Sequence, residues 1–99
     1  MNLNLDYRGF EDYLIKERMT QAKDGIQYIF KFENNHGASI MKHSWSDGYE
    51  DNLWELAVID FIDDENNFEV NTRSELTRDV LGYLTDEEVK YYMGKIKDF

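Results

Sequence analysis

The sequence predicts an α+β domain: a small antiparallel sheet of three to four strands with helices packed on one face, in the order α-β-β-β-β-α-α. Three patterns carry that expectation. Residues 26–32 alternate apolar and polar, and residues 53–59 form a mainly apolar run, both suited to strands. Asn34-Asn35-His36-Gly37 marks a hairpin connection. Thr85-Asp86-Glu87-Glu88 reads as a capping box that opens an amphipathic helix.

The first element expected is a helix over 6–23. Phe10, Tyr13 and Leu14 share a helical face, and Ile15, Met19 and Ala22 continue a drifting stripe. Acids near its start and Lys16, Arg18 and Lys23 toward its end suit the helix dipole, and Asp24-Gly25 reads as a stop. Residues 25–33 then take strand periodicity, with Ile26, Tyr28, Phe30 and Phe32 on one side. A return strand follows over 38–43, and a polar loop over 44–52 contains Trp45, Gly48 and Tyr49. Leu53 to Asp60 is apolar on both faces, the signature of a central strand. A turn at 63–67 leads to a short edge strand at 68–72. Thr77 is positioned to cap a short helix carrying Val80, Leu81 and Leu84. The last helix buries Val89, Tyr92, Met93 and Ile96 at the i, i+3, i+4, i+7 spacing. The organisation expected is one domain over 1–99, with the N-terminal helix appended to a sheet-plus-helices core at 25–98.

Composition narrows the function classes. With 41% hydrophobic and 15% aromatic residues, the chain is too rich in apolar side chains for a disordered acidic tail. A net charge of −10 opposes direct binding to a phosphate backbone, which depends on clustered Lys and Arg. The chain has no cysteine, which excludes disulfides and thiolate chemistry. No leader pattern and no apolar stretch of about 20 residues is present, so a soluble cytoplasmic protein with no membrane partner is expected.

Residues 44–71 carry nine carboxylates and no Lys or Arg: Asp47, Glu50, Asp51, Glu55, Asp60, Asp63, Asp64, Glu65 and Glu69. Such a block makes a directional negative field that attracts basic surfaces. Its two loop clusters, Asp47–Asp51 and Asp63–Glu65, are expected near opposite ends of the central strand.

Other constellations are weaker. The acidic turn after Asp60 lacks the glycine that a calcium loop needs at its sixth position, where Phe68 stands. His36 and His43 lack a third strong metal ligand. His43 with Ser44 and Ser46 lacks an orienting acid and an oxyanion hole. No catalytic residue, metal site or cofactor is therefore assigned. Trp54 reads as core. Trp45 and Tyr49 are open to two readings, anchors for a partner or a lid folded over the sheet.

Three segments carry a resemblance: Phe32-Glu33-Asn34-Asn35-His36-Gly37-Ala38-Ser39, Leu53-Trp54-Glu55-Leu56-Ala57-Val58, and Thr77-Arg78-Asp79-Val80-Leu81-Gly82-Tyr83-Leu84-Thr85. Over 28–96 the chain resembles a family of small, functionally uncharacterised bacteriophage and prophage proteins. The resemblance implies a phage or prophage origin and no particular activity. The helix before Gly25, the longer acidic turn after Asp60 and the segment before Thr77 depart from the family pattern.

Charge and implied origin together predict a non-enzymatic acidic binding protein, in its concrete form a phage-encoded inhibitor. Like proteins of the anti-CRISPR kind, it would mimic nucleic acid and block a basic surface of a host protein. The partner-binding residues expected are Trp45, Asp47, Tyr49, Glu50, Asp51, Asp63, Asp64 and Glu65. The alternative is a small structural or scaffold phage module that self-associates; a monomer or a homodimer fits these readings.

Overall fold

The computed structural model describes residues 2–20, 24–63, 67–72 and 80–99. Its strands are β1 (Leu14–Met19), β2 (Ile26–Lys31), β3 (His36–Lys42), β4 (Trp54–Phe61), β5 (Phe68–Val70) and β6 (Leu81–Leu84), followed by one α-helix, α1 (Asp86–Lys97). Single 3-10 turns lie at Glu11–Tyr13 and Tyr49–Asp51. The strands form one antiparallel sheet in the order β1-β2-β3-β4-β5. β6 pairs with β4 along Trp54 and Leu56, while β5 pairs with it along Ile59–Phe61.

This architecture corrects the expected α-β-β-β-β-α-α order. The expected N-terminal helix is absent among the described residues. Gly9 turns the chain with φ +94°, and residues 14–19 become an edge strand on β2 instead. The physical reason is the open edge of β2. Pairing there satisfies a row of backbone groups, whereas a lone helix would leave them bare. The aromatic residues that looked like a helical stripe pack on the core from an irregular segment. Tyr7 lies against Tyr28 and Phe30, and Phe10 and Tyr13 lie against Phe32. Leu5 is buried, and its amide donates to the Tyr28 hydroxyl, which donates to the Leu3 carbonyl.

The short helix expected after Thr77 is also corrected. Leu81 and Leu84 lie on β6, opposite Leu56 and Trp54. The free stretch of β4 beyond β5 offers backbone partners that helical spacing alone cannot reveal. Thr77, and residues 64–66 of the expected turn, lie outside the described residues.

Other elements agree with the sequence. β4 lies between β3 and the β5/β6 side, and Leu56, Ala57, Val58 and Ile59 are all buried. In the β2–β3 turn Asn35 takes φ +65°. Thr85 caps α1 with a reciprocal box: the Glu88 amide donates to Thr85 Oγ1 at 3.2 Å, and the Thr85 amide donates to Glu88 Oε1 at 3.1 Å. At the other end, Asn34 Nδ2 donates to the carbonyls of Ile96 and Lys97, tying the hairpin to the helix terminus.

α1 sets the main core. Val89, Met93 and Ile96 pack on the sheet face formed by Tyr28, Phe30, Ala38, Ile40, Trp54, Leu56 and Val58. Each large side chain fully buried there contributes roughly 1.5–3 kcal/mol. On the opposite face Ile29, Ile59 and Phe61 form a smaller cluster with Ile15 and Phe68. Among the described residues no helix is long and apolar enough to cross a membrane.

The N-terminal segment is also held by charge. Asp6 pairs with Arg8 at 2.8 Å and Lys90 at 3.1 Å. The Arg8 side chain, then the Arg8 amide, then Lys90 hold its carboxyl well below the ordinary range. A carboxyl depressed in the folded state adds stability that is present above its unfolded pKa of about 4 and is lost as pH falls. In Asp6→Asn the fall in urea midpoint on acidification from pH 5 should therefore be smaller than in the parent chain. An unchanged fall would assign the acid sensitivity elsewhere.

Candidate interaction surface

A series of hydrogen bonds closes the loop between β3 and β4. The Ser46 amide donates to the His43 carbonyl, and the His43 amide donates to Ser46 Oγ. The Trp45 amide donates to His43 Nδ1 at 3.2 Å. Ser44 Oγ donates to Asp24 across the hairpin, and that bond leads the causes holding the Asp24 carboxyl below its usual range. The Asp47 amide donates to Glu55 Oε2 at 2.6 Å, and its carbonyl accepts from the Tyr83 amide. Gly48 adopts φ +96°, a left-handed turn that glycine takes without strain, and its carbonyl accepts from Asp51 and Leu53.

The loop is anchored beneath by a buried lysine. Lys42 is 1% exposed; Nζ donates to the Asn2 carbonyl at 2.7 Å and Asn52 Oδ1 at 2.9 Å, and lies 4.0 Å from the Trp54 ring centroid. Burial pushes its pKa down, while the Asp86 carboxylate opposes that shift. Trp54 Nε1 donates to Asp86 Oδ1 at 2.6 Å. This network joins β3, the end of the loop, β4 and the start of α1.

On this scaffold Trp45 is 87% exposed: it is displayed and not folded back as a lid. Asp47, Glu50 and Asp51 are exposed on the same loop, and Tyr49 is half-buried in the 3-10 turn. Asp63 is exposed beyond the other end of β4, where its carboxylate accepts from Asn67 Nδ2. The eight residues of β4 place about 23 Å between its ends at roughly 3.3 Å per step. The candidate residues therefore do not gather in one patch. Trp45, Asp47, Tyr49, Glu50 and Asp51 share one loop, Asp63 stands apart, and Asp64 and Glu65 lie outside the described residues. Two further acids of the block have internal partners. Glu55 accepts from the loop, and Asp60 pairs with His36 Nδ1 at 2.5 Å and accepts from Asn71.

His36 and His43 stand at and just beyond opposite ends of β3 and do not meet. Among the described residues no group of three or more His, Cys, Asp or Glu is arranged to hold a metal ion. His43 Nδ1 is occupied by the Trp45 amide, while Ser44 and Ser46 Oγ donate to Asp24 and to the His43 carbonyl. The three side chains thus serve the turn.

A groove of about 570 Å³ adjoins Trp45 on the sheet face opposite α1. Its lining includes Arg18, Met19, Gln27, Met41 and His43. Arg18 and Met41 carry no motif. Their meeting depends on the register of β1, β2 and β3, in which Arg18 lies opposite Gln27 and Gln27 opposite Met41. The only signal in the sequence is the neighbouring tryptophan in a polar, glycine-containing loop. No family model, curated protein or solved structure matches the chain.

Proposed function

We propose that the chain is a non-enzymatic binding protein that engages a basic surface of a partner protein through residues 44–51. Trp45 is the apolar anchor, and Asp47, Glu50 and Asp51 form the charged rim. The observation that carries this reading is the 87% exposure of Trp45 on a loop held by a series of backbone hydrogen bonds. A large aromatic held out on a rigid support loses little conformational entropy on binding, which is the property of an interface anchor. The adjoining acids favour a basic partner and accelerate its approach.

In its concrete form the partner is a host protein whose basic surface binds nucleic acid, met in the cytoplasm of a bacterial cell. The resemblance to phage proteins and the net charge of −10 support that form. The three acids on the same loop as Trp45 carry the mimicry, since Asp63 lies beyond the far end of β4.

Capture from bacterial lysate on the immobilised chain tests the reading. A discrete partner should be retained at low salt and released at high salt. Trp45→Ala should abolish retention while leaving the unfolding midpoint unchanged, because surface substitutions of this kind shift stability by about 0.5 kcal/mol or less. Capture that ignores salt, or that survives Trp45→Ala, would defeat the proposal.

A further inference from the structure

We propose that the groove beside Trp45 binds a small organic monocarboxylate, its carboxylate on the Arg18 guanidinium and its apolar body against Met41 and Trp45. The proposal is independent of the protein-binding reading and shares only Trp45 with it.

Arg18 is already oriented for such a ligand. Its Nε donates to Gln27 Oε1 at 2.7 Å, and Gln27 Nε2 donates to Ser39 Oγ at 2.7 Å. Ser39 is buried, so the relay runs from the sheet interior to the guanidinium. It uses one donor of the fork. Among the described residues no carboxylate lies within ion-pair distance of Arg18, although the chain has 21 Asp and Glu against 11 Lys and Arg. An oriented guanidinium with its remaining donors open is suited to a planar carboxylate.

The rest of the groove defines the ligand further. His43 accepts the Trp45 amide on Nδ1, which places the ring proton of the neutral imidazole on Nε2 and adds a second donor to the lining. Met41 and the Trp45 indole supply an apolar wall, and a thioether side chain adapts to varied shapes. A volume of about 570 Å³ lies within the range of small-molecule sites. One arginine matches one negative charge, and the net charge of −10 opposes a polyanion.

Two-dimensional amide NMR, with tryptophan fluorescence in parallel, tests this on the whole chain with octanoate below its aggregation concentration. Octanol and acetate serve as the body and the head alone. Octanoate should give saturable shifts at Arg18, Met41 and Trp45 and a blue shift of indole emission. Octanol should bind at least about tenfold more weakly, the scale of a lost charge-assisted hydrogen bond, and acetate should give no indole shift. Arg18→Met should weaken octanoate by a similar factor and leave octanol unchanged, with the amide spectrum still that of the folded chain. Equal binding of octanol and octanoate, octanoate affinity kept in Arg18→Met, or no saturable shift would each overturn the assignment. Tighter binding of a leucine-terminated tripeptide acid than of octanoate by about tenfold would overturn the small-molecule form and reassign the site to a peptide C-terminus.

Discussion

Replacing Trp54 by alanine is expected to cost about 3–5 kcal/mol of folding stability, a large share of the 5–15 kcal/mol typical of a whole domain. Trp54 is 1% exposed and meets the Tyr28 ring edge-on at a centroid distance of 5.8 Å. Its removal opens a cavity in the face that α1 covers. The loss goes beyond packing. The Lys42 ammonium lies 4.0 Å from the indole centroid, and Asp86 accepts the indole N–H. Trp54→Ala therefore strips both a buried cation and a carboxylate of a partner. Trp54→Phe keeps an aromatic surface under Lys42 and loses the N–H donor, so its cost should be smaller, about 1–3 kcal/mol. Urea unfolding followed by far-ultraviolet circular dichroism measures both, without relying on the fluorophore removed. A cost below about 1 kcal/mol for Trp54→Ala would show that the network is not part of the core. The two tryptophans should thus behave oppositely: Trp54 governs stability and Trp45 governs binding.

The second large effect concerns binding. Asp47→Lys, Glu50→Lys and Asp51→Lys together take the net charge from −10 to −4 and reverse the sign of the loop's three acidic positions. These side chains are exposed, and none of the three carboxylates is in an ion pair among the described residues. Folding should therefore be little affected. Association with a basic partner should slow by about tenfold or more at low salt, and the difference should shrink as salt is added. Stopped-flow association at several ionic strengths reads this directly. A rate unchanged by the reversal would mean that the loop does not face the partner.

Some of this was legible from residue spacing alone. β4 and α1 announce themselves because each carries its own evidence. β4 is apolar on both faces, and α1 has a capping box followed by a regular stripe. The N-terminal segment does not. Phe10, Tyr13 and Leu14 fit a helical face, yet the same residues serve an irregular segment and a strand once β2 presents an open edge. Local spacing cannot register an edge set by residues much later in the chain. β6 repeats the lesson, because Leu81 and Leu84 fit either a helical turn or the free stretch of β4. Its register is also irregular, and Tyr83 adopts φ +60° within it.

The candidate surface was half legible. Trp45 in a polar, glycine-containing loop is a visible oddity, and the acids around it are plain in the sequence. Its exposure was not, because that depends on the His43, Ser44 and Ser46 bonds that fold the loop outward. Arg18 was hidden for a different reason. Read as part of a helix it complements a dipole; placed on β1 it meets Gln27 and Met41 across three strands.

The central claim is that the interface lies on the 44–51 loop and not at the Asp63 end of β4. The most direct test is the affinity of the captured partner, measured side by side for the parent chain, the triple Asp47→Lys, Glu50→Lys, Asp51→Lys variant, and Asp63→Lys. The triple variant should bind at least about tenfold more weakly, while Asp63→Lys should stay within about threefold of the parent, as befits a charge roughly three Debye lengths away at physiological salt. Loss of binding in Asp63→Lys with the triple variant unaffected would contradict the claim and move the interface to the opposite end of the sheet.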